Sequence, residues 1–170
     1  MTASVLEDAF AHHVWATGQV IDACLELTPE QLSTSVPGTY GSILDTVRHI
    51  VGADTSYLFV LTGGSAAQID EEAMDLPALR AAMADCGPAW SALLAQDRSP
   101  DEMVVRHRDD GSESRAPYSI RLAQALHHGT DHRSQICTAL TALGIEPPEI
   151  DLWAYASLTG RAVQTPPAST

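Results

Sequence analysis

The stretch Ser119-Ile120-Arg121-Leu122-Ala123-Gln124-Ala125-Leu126-His127-His128-Gly129-Thr130-Asp131-His132-Arg133-Ser134-Gln135-Ile136-Cys137-Thr138-Ala139-Leu140-Thr141-Ala142-Leu143-Gly144 reads as one long amphipathic helix. Ser119 is its expected N-cap and Gly144 its expected stop. Each helical residue advances about 100° around the axis. On that wheel Leu122, Ala125, Leu126, Gly129, Ile136, Ala139, Leu140 and Leu143 define a buried arc. His132 falls inside the arc, and His128 at its margin on the same side. His127 points nearly opposite, with Asp131 beside it. A helix with so broad an apolar arc must pack against other helices.

Three further segments supply the partners. Residues 4–26 place Leu6, Phe10, His13, Thr17, Ile21, Cys24 and Leu25 at three- and four-residue spacing. Ser42 opens a second helix with Ile43, Leu44, Val47, Ile50, Val51, Leu58 and Leu61 as its stripe, ended by Gly63-Gly64. Residues 76–97 form a third around Leu79, Met83, Trp90, Leu93 and Leu94, where Gly87-Pro88 predicts a kink or break. Thr28-Pro29-Glu30-Gln31 reads as a short capped turn. Residues 103–118 carry a hairpin signal, with Asp110-Gly111 as the turn. Pro147-Pro148 is expected to start a short final helix through Trp153 and Tyr155. The pattern predicts an all-α four-helix bundle with a possible small β-hairpin before the last long helix. One domain, residues 1–159, is expected, followed by a mobile tail over 160–170.

Composition narrows the function. The chain has 170 residues, 45% hydrophobic and 18% charged, and a net charge of -13. All nine basic residues are arginine. A field this negative opposes nucleic acid phosphates and anionic membranes, so neither is an expected partner. There is no apolar run of about eighteen residues and no basic, apolar leader at the N-terminus, so a cytoplasmic location is the default expectation. The absence of lysine together with abundant alanine suggests a GC-rich genome. Cys24, Cys86 and Cys137 are far apart and form no CxxC, which predicts buried free thiols rather than disulfides or a cysteine metal site.

His128 and His132 stand four residues apart on one helical face, where two imidazoles can share one metal ion. A third ligand must come from another helix. His49, at the edge of its own helix's stripe with Asp45, Thr46, Gly52 and Ala53 nearby, has room beside it. By spacing alone it fits a ligand and a half-exposed surface histidine equally well. His13, inside an apolar stripe, is a further possibility; His12 is expected to be exposed, and His107 has no evident partner.

These segments resemble the DinB/YfiT-like superfamily. His13-Val14-Trp15-Ala16-Thr17 is similar to its tryptophan-alanine signature. The segment from Gly41 to Asp54 is similar to its serine-to-histidine segment, and His128-Gly129-Thr130-Asp131-His132-Arg133-Ser134-Gln135 to its HGTxHRxQ segment. Ser134 stands where glycine is common, and Asp131 where an aromatic residue or histidine often stands. The resemblance spans roughly residues 5–155 and implies a four-helix bundle with three histidine ligands, which fall on His49, His128 and His132. It implies a divalent metal, Zn, Ni or Fe, among which imidazole ligands do not choose. It also implies thiol-dependent S-transferase or isomerase chemistry with mycothiol or bacillithiol, and a possible homodimer. The rival readings are a metal-dependent hydrolase, with Asp45 or Asp54 as candidate base, and a non-catalytic metal-binding, stress-associated bundle. Arg133 reads as structural rather than substrate-binding.

Overall fold

Ser4 opens the first helix through a capping box: its hydroxyl accepts from the Glu7 amide while the Glu7 carboxylate accepts from the Ser4 amide. Thr28 with Gln31, and Ser42 with Asp45, repeat the device. The computed structural model describes all residues except 1–3, 109, 164 and 166–170. In chain order the helices are α1 (Val5–Cys24), α2 (Pro29–Leu32), α3 (Ile43–Leu61), α4 (Leu76–Leu94), α5 (Tyr118–Ala142) and α6 (Leu152–Leu158). A single 3-10 turn, Glu71–Ala73, precedes α4, and an antiparallel hairpin, β1 (Met103–His107) and β2 (Glu113–Pro117), precedes α5.

The four long helices close a ring: α1 packs on α4 and α5, and α3 packs on α4 and α5. Val20, Ile21, Val47, Ile50, Leu79, Met83, Ile136 and Leu140 fill one end of the core. Phe10, Leu58, Trp90, Leu93, Val104, Tyr118 and Leu122 fill the other, where the hairpin contributes Val104. The expected four-helix bundle with its small hairpin is therefore the observed fold. Among the described residues no helix is long and apolar enough to cross a membrane.

Four local expectations need correction. Ser119 does not cap α5, which starts at Tyr118 after Pro117. The carbonyls of Glu102 and Pro100 accept from the Tyr118 and Ser119 amides, so the loop before β1 does the work of a cap. Gly87-Pro88 does not break α4, which runs through both residues. Gly87 carries no Cβ to clash with the proline ring, which lowers the usual barrier to helical backbone before a proline. Pro147-Pro148 does not start α6; Asp151 caps that helix by accepting from the Ala154 amide. The wheel on α5 has the observed phase but leaves out one member of the arc. Arg133, at 3% exposure, sits in the buried arc, while His132 and His128 lie partly buried on its flank.

The expected mobile tail falls partly outside the described residues; within it, Arg161 pairs with Asp8. The cysteines are free, with Cys24 and Cys86 buried and Cys137 partly so.

Candidate metal centre

α3 and α5 lie side by side, which brings His49 to the pair on α5. The ligand atoms of His49, His128 and His132 all lie within 4.8 Å of one another. Nε2 of His128 and Nε2 of His49 face each other at 3.0 Å. His132 is oriented by a residue on its own helix. Gln135 Oε1 accepts from the Tyr40 backbone amide at 2.9 Å, which identifies it as the oxygen. It lies 2.9 Å from His132 Nδ1, so Nδ1 carries the hydrogen and Nε2 of His132 is left bare for a ligand bond. Tyr40 also stacks on His49, with ring centroids 4.1 Å apart and planes 10° apart. Tyr57 meets His128 edge-on.

The donor set suits a divalent ion of borderline character. Three neutral imidazoles are required, and the site favours the neutral form. Burial, then the neighbouring His132 and His49, push His128 down to about 4. Burial first, then His132, also lowers His49, against a raising influence from Glu71.

Glu71 had no periodic signal to reveal it, because it comes from the 3-10 turn between α3 and α4. Its carboxylate lies over Gly52, one turn past His49; a Cβ on Gly52 would come within 2.4 Å of Glu71 Cδ. The room expected beside His49 is thus shared with a carboxylate. Beyond it, His49, Gly52, Tyr57, Glu71, Arg106 and His128 line an open cavity of about 380 Å³.

The other candidates lie elsewhere. His13, 1% exposed, is outside the cluster: Nε2 donates to both carboxylate oxygens of Asp54, at 3.0 and 2.9 Å. Arg133 Nη1 donates to His13 Nδ1 at 2.9 Å and to Thr17 Oγ1 at 3.1 Å. Asp54 is therefore an interhelical acceptor rather than a free base, and Arg133 is structural. Asp45 is occupied in the Ser42 capping box. His12 is half-buried rather than exposed, because its Nε2 donates to the Ile150 carbonyl at 2.8 Å and its ring packs among Trp15 and Tyr155. His107 does have a partner, Glu113, directly across the hairpin at 3.0 Å. His127 and Asp131 are both exposed.

The sequence model of the DinB family matches residues 1–166, and the chain belongs to that family. No curated protein matches it.

The depressed His128 pKa gives a pH dependence. Unfolded, the imidazole takes its proton near 6.5; folded, near 4. The unfolded state binds more protons between those values, so stability is full above about 6.5 and falls as pH drops towards 4. His128 is half-exposed, and after solvent screening its share is about 1 kcal/mol. Urea melts of metal-free protein at both ends of that window should show the loss, and His128→Gln should shrink it. An unchanged pH difference in that variant would mean that the rings are not packed together.

Proposed function

We propose that the protein is a metalloenzyme that activates a low-molecular-weight thiol for S-transfer or isomerisation. The observation that carries this reading is the convergence of three imidazoles, two of which, His49 and His128, line an open cavity. His49, His128 and His132 would hold the ion, Zn, Ni or Fe, with the cavity side open to a co-substrate. When bound, such an ion supplies positive charge that lowers the pKa of an incoming thiol.

The chain's own residues do the rest. Gln135 fixes the His132 ring, and Tyr40 covers the outer face of His49. The Glu71 carboxylate lines the same cavity and would take the thiol proton at one of its oxygens. The thiol must come from solution: burial drives Cys24 up to about 12 and raises Cys86 and Cys137 as well. The lysine-free composition leans towards mycothiol over bacillithiol, in a bacterial cytoplasm. The expected partners are therefore a small thiol and an electrophile, and a homodimer is consistent with the family resemblance.

A hydrolase is the second reading, and Glu71 favours it, since the same carboxylate could take a proton from water. Metal-loaded protein, a panel of thiols and a generic electrophile decide between them. At neutral pH an ordinary thiol is only a few per cent ionised, so full ionisation alone should raise the rate about thirtyfold, and a chelator should remove that gain. Metal-dependent ester or amide hydrolysis with no thiol-dependent rate would replace the transferase reading. Activity of neither kind would leave a metal-binding bundle.

A further inference from the structure

The cavity beside His49 and His128 does not end there. Gln68 and Arg106 line it and also line a second cavity, of about 710 Å³, between the end of α3 and the hairpin. The two share Gln68 and Arg106 as a common wall, and we read them as one groove, its near part at His49 and His128 and its far part at Gly63, Gly64 and Arg108.

Arg106 is unusual in this chain. The protein has 22 acidic residues against nine arginines. Arg80, Arg98, Arg115 and Arg161 each pair with a carboxylate, and Arg48 has Glu72 and the Met74 carbonyl. Arg108 donates to Ser112, Arg121 to the carbonyls of Val104 and Ser114, and Arg133 to His13 and Thr17. Among the described residues Arg106 alone has no hydrogen-bond or carboxylate partner. It is partly buried in the groove wall. Its charge and that of Arg108 are close enough to Arg121 to help lower that residue's pKa, although burial is the larger cause. Arg106 and Arg108 therefore put two positive charges on the described lining of the far end, with Asp110 close enough to Arg108 to feel its charge. The near end carries Glu71, which repels an anion. The two ends impose a direction on any ligand with one acidic group.

We propose that Arg106 is a substrate-binding residue that receives a carboxylate of the small-molecule substrate, while the reacting end of the same molecule reaches His49 and His128. The reading rests on the metalloenzyme proposal for the location of the reacting end, but the carboxylate contact at Arg106 can be measured without any reaction. A guanidinium offers a carboxylate two parallel N–H donors, and a part-buried setting strengthens them. The carboxylate belongs either to the thiol or to the electrophile, and the probes below separate these sources.

The first probe pair is hexanoate and hexanol, titrated onto zinc-loaded protein and followed through the amide resonances of Gln68 and Arg106. Hexanoate should bind about tenfold more tightly than hexanol. Arg106→Gln should abolish the preference, and Arg106→Lys should restore part of it. Equal binding of the two probes, or a preference that survives Arg106→Gln, overturns the proposal; the latter would mean that the carboxylate sits on the zinc.

The second pair is 6-mercaptohexanoate and 6-mercaptohexanol on cobalt-loaded protein, read by the thiolate-to-cobalt absorption band. A carboxylate preference that depends on Arg106 in both pairs assigns the carboxylate to the thiol. The preference in the first pair without a cobalt band supports Arg106 binding and removes the thiol reading instead.

Discussion

His128→Ala should lower the zinc affinity of the proposed three-histidine centre at least about a thousandfold. Loss of a partner that merely orients a ligand costs about ten- to a hundredfold, and removal of the ligand itself must cost more. Gln135→Leu should fall in that smaller range, because it releases His132 Nδ1 without touching the ligand nitrogen. His49→Ala and His132→Ala should behave like His128→Ala. His127→Ala should bind as the unaltered protein does, since its ring is exposed on the other side of α5. Competition against a chromophoric chelator measures all five. If His13→Ala lost the ion while His49→Ala kept it, the set of three would be wrong. His13 has little freedom to take that role, because both of its ring nitrogens are already engaged by Asp54 and Arg133.

The sequence made some of these residues legible and hid others, and the division follows contact range. Spacing on one helix placed His128 and His132 on a shared face and His127 away from it. It could not place His49 beside them; only the family resemblance chose it over a surface role. The wheel put His132 rather than Arg133 in the buried arc because a lone arginine counts as polar. Its burial is compensated by His13 and Thr17 on α1, partners that no reading of α5 contains. Gln135 was open to inference, standing three residues after His132 on the same helix. Tyr40 and Glu71 were not: both come from connecting segments without periodicity, and only the packing of α3 against its neighbours brings them to His49. The His107–Glu113 pair follows from hairpin register once the Asp110-Gly111 turn is fixed, but the boundaries expected from sequence were too loose to give it.

Gly129→Ala should destabilise the fold by about 2–4 kcal/mol, although alanine is the better helix former by about 1 kcal/mol. A Cβ at that position would come to 2.2 Å from His13 Cε1, 2.8 Å from Nδ1 and 3.0 Å from Arg133 Nη1. What decides the cost is whether the His13 ring can move. Its Nδ1 must be bare, because a guanidinium only donates, so its Nε2 hydrogen is committed to Asp54. The neutral ring thus links a buried carboxylate to a buried guanidinium, tying α1, α3 and α5 together. Asp54 is 2% exposed and Arg133 3%, so a displaced ring strands both charges away from water. Gly52→Ala provides the contrast. Its Cβ would approach Glu71 Cδ at 2.4 Å, nearly as close, but the obstacle is the end of a partly exposed side chain beside an open cavity. Glu71 can swing aside, and the helix-propensity gain should leave that variant within about 1 kcal/mol of the parent. Chemical denaturation of the two variants side by side is the test. Equal stabilities would mean that the His13 ring yields as readily as Glu71, and that the buried Asp54–His13–Arg133 chain is not what holds the three helices in register around the histidines.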